Sequence, residues 1–428
     1  MHYRYSPFFL VFILARNRSS LAVLLVGCFF WVNNIRAQQV EKIYINPKSP
    51  VIQKQISFVD SLQFTAFESI AGVSFNEYVN VRLTHKYFLV TDYTAGFLYI
   101  YTKKGAFVKK INFKSLTNNL YPSYNAKTNE VVFFGNNNNY TLTSKDRVKI
   151  QLDWSNERNL KYFKKYVIDL SDTAFEIKKA KPDKYNLIGA YPFYADQYIQ
   201  TKITTSPLYK DSTGHEVNIY KNEKLVKTFF PYNRVNEPKF LFSEENVSVT
   251  SSGSPNISYL MRPYCDTVYK SAEGGLSPVY HLVMPVENSL PATFFTDASV
   301  TKTERENFKR NNGWAFHQIR DFYETSRLIY ITISFFSHYE VYVYDKQTQT
   351  AYNATKIKGD FKQYNLSLLT SYNVTRAGHK FYKLLKADVL ISFFRQNPDI
   401  SVPKELAAWL QGNPDKNVPV LVAFTLKD

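Results

Sequence analysis

The 428 residues carry 53 Lys and Arg against 36 Asp and Glu, giving a formal charge of +17, with only two cysteines, Cys28 and Cys265. Aromatic residues make up 17% of the chain and glycines number only 14, a composition of pleated, half-buried surfaces that excludes a disordered chain and a Gly-rich binding-loop architecture. One cysteine pair at most excludes a disulfide scaffold, so the fold must stand on an apolar core.

Residues 1–37 hold no Asp or Glu, and carry Arg4, Arg16, Arg18 and Arg36 around two apolar runs, Phe8 to Ala15 and Leu21 to Val32. Basic residues, a short apolar core and a small residue at Ala37 make a secretory signal, with an uncleaved anchor as the alternative. The runs are short beside the roughly 20 apolar residues that a membrane-spanning helix needs. Leu25-Val26-Gly27-Cys28 also reads as a lipidation site, but Phe29, Phe30, Trp31 and Val32 continue the apolar run where a polar tether would begin. Cleavage after Ala37 is therefore favoured over acylation of Cys28. Removing residues 1–37 takes four arginines and lowers the charge from +17 to +13. Lysine pairs such as Lys109-Lys110, Lys164-Lys165 and Lys178-Lys179 sit singly within strand-like segments and read as edge protection. No nucleic-acid partner is expected.

From residue 86 onward the pattern is short alternating strands between turn residues. Lys86–Tyr93, Gly96–Thr102 and Phe107–Phe113 come first, the last two joined by a tight turn at Lys103-Lys104-Gly105. Glu130–Gly135, Tyr140–Thr143 and Arg147–Trp154 follow, the first two linked by Asn136 to Asn139. Ala190–Ile203, Glu216–Tyr220 and Leu225–Phe230 make a third group, and Ile257–Arg262, Thr267–Tyr269 and Val279–Val283 a fourth. Leu328–Phe336, Glu340–Tyr344 and Thr350–Asn353 make another. Helices are expected at Thr301–Arg310 and Val402–Gln411, where Pro403 suits a helix start, and both read as insertions between blades. Groups of three or four strands without intervening amphipathic helices point to an all-β propeller of six or seven blades, at roughly 40 to 50 residues per blade. The expected organisation is a signal peptide over 1–37 and a single propeller domain over 38–428.

Three stretches resemble the exported, often lipid-anchored six-bladed β-propeller proteins of the Bacteroidetes, a largely uncharacterised family. They are KYFLVTDYTAGFLYIYTKKGAFVKKI, YCDTVYKSAEGGLSPVYHLVMP and NPDISVPKELAAWLQGNPDKNVPVLVAFTLKD. The tail departs by one inserted residue at Asn417-Val418-Pro419, and residues 155–245 do not align. The resemblance implies six blades over seven and carries no catalytic residue.

No chemistry-bearing constellation stands out. The histidines His85, His215, His281, His317, His338 and His379 are dispersed, with no HxH, HExxH or CxxC, so no metal or cofactor is expected. No calcium loop or G-x-S-x-G elbow occurs. Cys265 reads as a small buried hydrophobe in a strand. Asp92 and Asp266 are the candidate carboxylates for glycoside chemistry, but read more simply as a hairpin cap and a blade-corner acceptor. By position near the mid-chain motif, Arg262, Tyr264, Asp266, His281, Trp314 and Arg320 are the candidate ligand-binding residues, with no catalytic or metal residue assigned. The expected function is an exported, periplasmic or cell-surface binding module, monomeric, taking a protein, peptide or glycan. The alternatives are a carbohydrate-active hydrolase or lyase at the channel mouth, and a purely architectural role.

Overall fold

A computed structural model describes residues 40–75, 79–114, 116, 121–194, 196–203, 208–209, 213–233, 246–252, 256–272, 275–291, 294, 300–370, 374–412 and 417–428. Residues 1–37, read as a secretory signal from the sequence and holding Cys28 and Ala37, lie outside the described residues. Residues Lys42 to Asp428 form one compact unit.

Six antiparallel sheets follow one another along this unit, each with four consecutive strands bonded in chain order except the last. Blade one comprises Asn80–Leu83, Tyr87–Asp92, Phe97–Thr102 and Phe107–Asn112. Blade two comprises Tyr121–Asn125, Glu130–Asn136, Phe163–Asp169 and Lys178–Ala180. Blade three comprises Ala190–Pro192, Gln197–Gln200, Thr213–Lys221 and Lys224–Asn233. Blade four comprises Ser248–Ser251, Ser258–Met261, Thr267–Ala272 and Gly275–Val283, with Glu41–Tyr44 added outside as a fifth strand. Blade five comprises Phe316–Glu324, Leu328–Phe335, Tyr339–Asp345 and Thr350–Asn353.

Blade six is built from both ends of the chain. Val374–Ala377, Lys380–Leu385 and Val420–Leu426 are completed by Val59–Ala66, paired from Val420 opposite Ala66 to Leu426 opposite Val59. This pairing ties the first and last parts of the chain together and satisfies a strand edge that would otherwise be open. The fold is thus a six-bladed β-propeller, as the sequence resemblance implied.

Central strands are apolar on both faces because a neighbouring blade covers each face. Leu328, Ile329, Tyr330, Ile331 and Ile333 are all buried, whereas the outermost strand of blade one exposes Lys109 and Lys110. Side chains of adjacent blades interleave. Leu98 and Ile100 pack with Phe133 and Ile168, Ile199 and Val217 with Leu260, and Met261 and Val268 with Ile331 and Ile333. Tyr330 and Val343 pack with Phe381 and Val422, and Leu421 with Val90 and Tyr101. Among the described residues, blades two and three lack an equivalent. Between them the small clusters Ile150–Leu160–Leu187 and Tyr185–Ile188–Ala190 come mostly from a helix and connecting segments.

Several segments differ from the sequence reading. Arg147–Trp154 alternates like a strand, yet Ser144–Leu152 is an α-helix and Tyr140–Thr143 leads into it. The cause is local. Thr143 Oγ1 accepts from the Asp146 amide at 3.2 Å while Asp146 Oδ2 accepts from the Thr143 amide at 3.1 Å, a reciprocal cap that starts the helix. Ala190–Ile203 is a hairpin of two strands. The expected inter-blade helix at Thr301–Arg310 is present as Lys302–Asn311 between blades four and five. The C-terminal helix, Lys404–Gln411, lies instead inside blade six, between its second and third strands. Ala387–Gln396, not foreseen, precedes it there and buries Leu390, Phe393 and Phe394.

Antiparallel order places the second-to-third and blade-to-blade connections of every blade at one end. That end carries the long insertions: 137–162, 201–212, 284–315 and 386–419, with the helices Ser144–Leu152, Lys302–Asn311, Ala387–Gln396 and Lys404–Gln411. The other end is closed by shorter turns.

Candidate functional site

Four residues nominated from the sequence meet at the insertion end of blade four. The turn between its second and third strands holds Arg262, Tyr264, Cys265 and Asp266, so Cys265 lies in a turn, half-buried, and not in a strand. Arg262 reaches across to blade three. Its Nε and Nη2 donate to Glu216 Oε2 and Oε1 at 2.8 and 2.6 Å, and its guanidinium lies 4.2 Å from the Phe230 ring centroid. Burial alone would lower the guanidinium pKa, but the two bonds to the Glu216 carboxylate raise it. Tyr264 adopts a left-handed backbone, φ 58°, and its amide donates to the His317 carbonyl at 2.6 Å. The Tyr264 and His317 ring centroids are 4.9 Å apart. Asp266 turns to His281, with Oδ1 3.2 Å from Nδ1.

Trp314 lies just before blade five, 47% exposed, its ring 4.0 Å from His338. Arg320 sits farther along the first strand of blade five, partly buried. Asp92, as expected, caps its hairpin: Oδ1 accepts from the Ala95 amide at 2.8 Å.

On the opposite end, a hollow of about 950 Å³ is lined by residues of blades four to six, including Glu324 and Lys346. Tyr259 donates to Glu324 at 2.6 Å, and Tyr280 and Lys346 also donate to the same carboxylate. Burial would raise the Glu324 pKa, but these three donors outweigh it and hold the group ionised. The carboxylate is saturated by its own protein.

The interface between blades two and three is different. A cleft of about 510 Å³ opens here, where the other neighbouring blades interleave apolar side chains. The helix Ser144–Leu152 from blade two forms one wall with Arg147, Val148 and Gln151, and the connection into blade three forms the other with Leu187, Ile188 and Gly189. Phe134, Leu142, Phe163 and Ile203 complete an apolar lining, and among the described residues no Asp, Glu or Cys contributes to it. A smaller chamber of about 270 Å³ shares Gln151, Ile188, Lys202 and Tyr209 with the first, and adds Gln200, His215 and Asn218. The Tyr209 hydroxyl donates to Gln151 where the two chambers meet. Gln200 donates to the Ile188 carbonyl at 2.6 Å and accepts from Asn218 at 3.0 Å, so the polar wall is held in place. Burial lowers the Lys202 pKa, and the charge of Arg147 lowers it further.

None of the cleft residues was nominated from the sequence. Thr143-x-x-Asp146 was the available signal, because that pair starts the helix that carries Arg147. Lys202 lies in the stretch 155–245 that no motif reached.

Residues 202–381 match the DUF5128 family model, a 6-bladed beta-propeller. Among solved structures, the chain is similar to a protein of Bacteroides fragilis described as exported. Identity there is 13%, covering 90% of this chain and all of that one, with a TM-score of 0.54. A duf4221 family member from Bacteroides vulgatus matches at 9% identity over 86% of this chain and 98% of that one, with a TM-score of 0.41. The β-propeller domain of the Trilobed protease from Pyrococcus furiosus matches at 10% over 72% and 90%, with a TM-score of 0.28. No curated protein matches the sequence. The resemblance to exported six-bladed propeller proteins read from the sequence is borne out.

Proposed function

We propose that this six-bladed β-propeller is an exported binding module whose ligand occupies the cleft between its second and third blades. The observation that carries the reading is the packing contrast. The other neighbouring blades interleave apolar side chains, whereas this pair leaves about 510 Å³ lined by apolar walls and a few convergent polar groups. That is the usual make-up of a small-ligand pocket. Its place at the insertion end suits the role, since variable connections there shape a site on a rigid scaffold. Export is supported by the basic and apolar pattern of residues 1–37. Among the described residues no helix is long and apolar enough to cross a membrane.

Ser144 lines the cleft at an exposed first turn, so Ser144→Trp fills the mouth without disturbing the blades. The test incubates the chain from Gln38 with periplasmic extract and weighs the complex by native mass spectrometry. A small molecule retained by the wild type and lost in Ser144→Trp is expected. Retention by both, or by neither, refutes the reading.

A further inference from the structure

Resting on that reading, we infer that the ligand of this cleft is an amphipathic anion: an apolar body joined to a carboxylate or phosphate head. Two observations carry this. First, Arg147 and Lys202 both line the first chamber, and neither side chain forms an ion pair or hydrogen bond with another described residue. Among the described residues neither chamber has an acidic side chain in its wall. Elsewhere the protein pairs cations at its inter-blade seams: Arg262 has Glu216, and Arg376 of blade six has Asp321 of blade five at 3.6 Å. Two neighbouring cations without a counter-charge repel each other, and an anion placed between them converts that repulsion into two charge-assisted contacts. Burial and, after it, the charge of Arg147 lower the Lys202 pKa.

Second, the rest of the first chamber is greasy. Phe134, Leu142, Val148, Phe163, Leu187 and Ile203 supply an apolar wall that a simple inorganic anion would leave unused. Lys202 borders both chambers at the Tyr209–Gln151 bond, which places the anionic head at that junction and the apolar body along the helix Ser144–Leu152.

Titration calorimetry with four probes of equal chain length separates the possibilities: decanoate, decyl phosphate, decanol and decylamine. Decanoate or decyl phosphate should bind, whichever is tighter identifying the head. Decanol should bind roughly tenfold to a hundredfold more weakly, the range expected for losing a charge-assisted pair of contacts. Decylamine should give no heat. In Arg147→Gln/Lys202→Gln the anions should fall to the level of decanol, and in Ser144→Trp all binding should disappear. Equal binding of decanol and the anions, or anion binding unchanged in the double variant, overturns the anionic ligand while leaving the cleft as a binding site. Binding of none of the four overturns it as well. Probe binding that survives Ser144→Trp places the ligand elsewhere and defeats both readings.

Discussion

Replacing Arg262 by methionine removes one half of the strut between blades three and four. Glu216, whose side chain is 4% exposed, would keep its carboxylate inside the interface without the bonds at 2.8 and 2.6 Å. Breaking a buried pair by removing one partner costs about 3–5 kcal/mol, chiefly from the stranded charge. Because Arg262 is itself 28% exposed, water can partly reach the vacated space. The lower end, about 3 kcal/mol, is therefore the expected loss. Lost stacking on Phe230 is included in that figure, since an exposed cation–π contact contributes only about 0.5–1 kcal/mol. Urea unfolding of the wild type, Arg262→Met, Glu216→Gln and the double variant measures the cycle. The double variant should recover at least half of the loss, because it strands no charge. If Arg262→Met costs under about 1 kcal/mol, or the double variant is worse than the single one, Arg262 is not a strut. It would then be free to serve the ligand role that its position in the sequence suggested.

Gly105 tests the closure of the ring. At φ 88° an added Cβ would stand 2.0 Å from the Ala66 carbonyl oxygen, on the strand that completes blade six. Gly105→Ala should cost at least about 3 kcal/mol in chemical denaturation, left-handed strain of roughly 1–2 kcal/mol plus a displaced closing strand. Gly378→Ala, at φ 59° with open space around it, should cost the strain alone; equal losses would show that the Ala66 contact does not matter. Lys383 gives a pH signature. Burial lowers its pKa to about 8, although its ammonium donates to the Ser367 carbonyl and Thr370 Oγ1, both at 2.7 Å. The folded state therefore releases this proton at lower pH than the unfolded chain does. The resulting destabilisation is full below pH 8 and is relieved as pH rises towards the ordinary lysine range. Relative to Lys383→Met, wild-type stability should rise by about 3 kcal/mol across that window. Parallel pH curves for the two proteins would contradict it.

Much of the fold was legible because strand alternation is a local property. Tyr87–Asp92, Phe97–Thr102 and Leu328–Phe335 emerged within a residue of the segments read from the sequence, and Asp92 caps the hairpin as its position suggested. Arg147–Trp154 failed for an equally local reason. Val148, Ile150 and Leu152 alternate, yet the reciprocal Thr143–Asp146 cap outweighed that period and made a helix. The site was less legible than the blades. Arg262 looked like a ligand residue from its place near the mid-chain motif, and only the position of Glu216, 46 residues earlier in the chain, shows where its charge goes.

The sequence by itself therefore determined most strands of blades one, three, four and five, the turns that separate them and, through its resemblance, the number six. Tertiary structure decided how those strands close, with Val59–Ala66 meeting Val420–Leu426 from the other end of the chain. It also decided where the blades fail to fill. The cleft between blades two and three exists because two neighbouring surfaces, each ordinary in sequence, leave volume between them. Arg147 and Lys202 acquire their significance from that shared space, since a charge without a partner is defined by its surroundings and not by its neighbours in the chain.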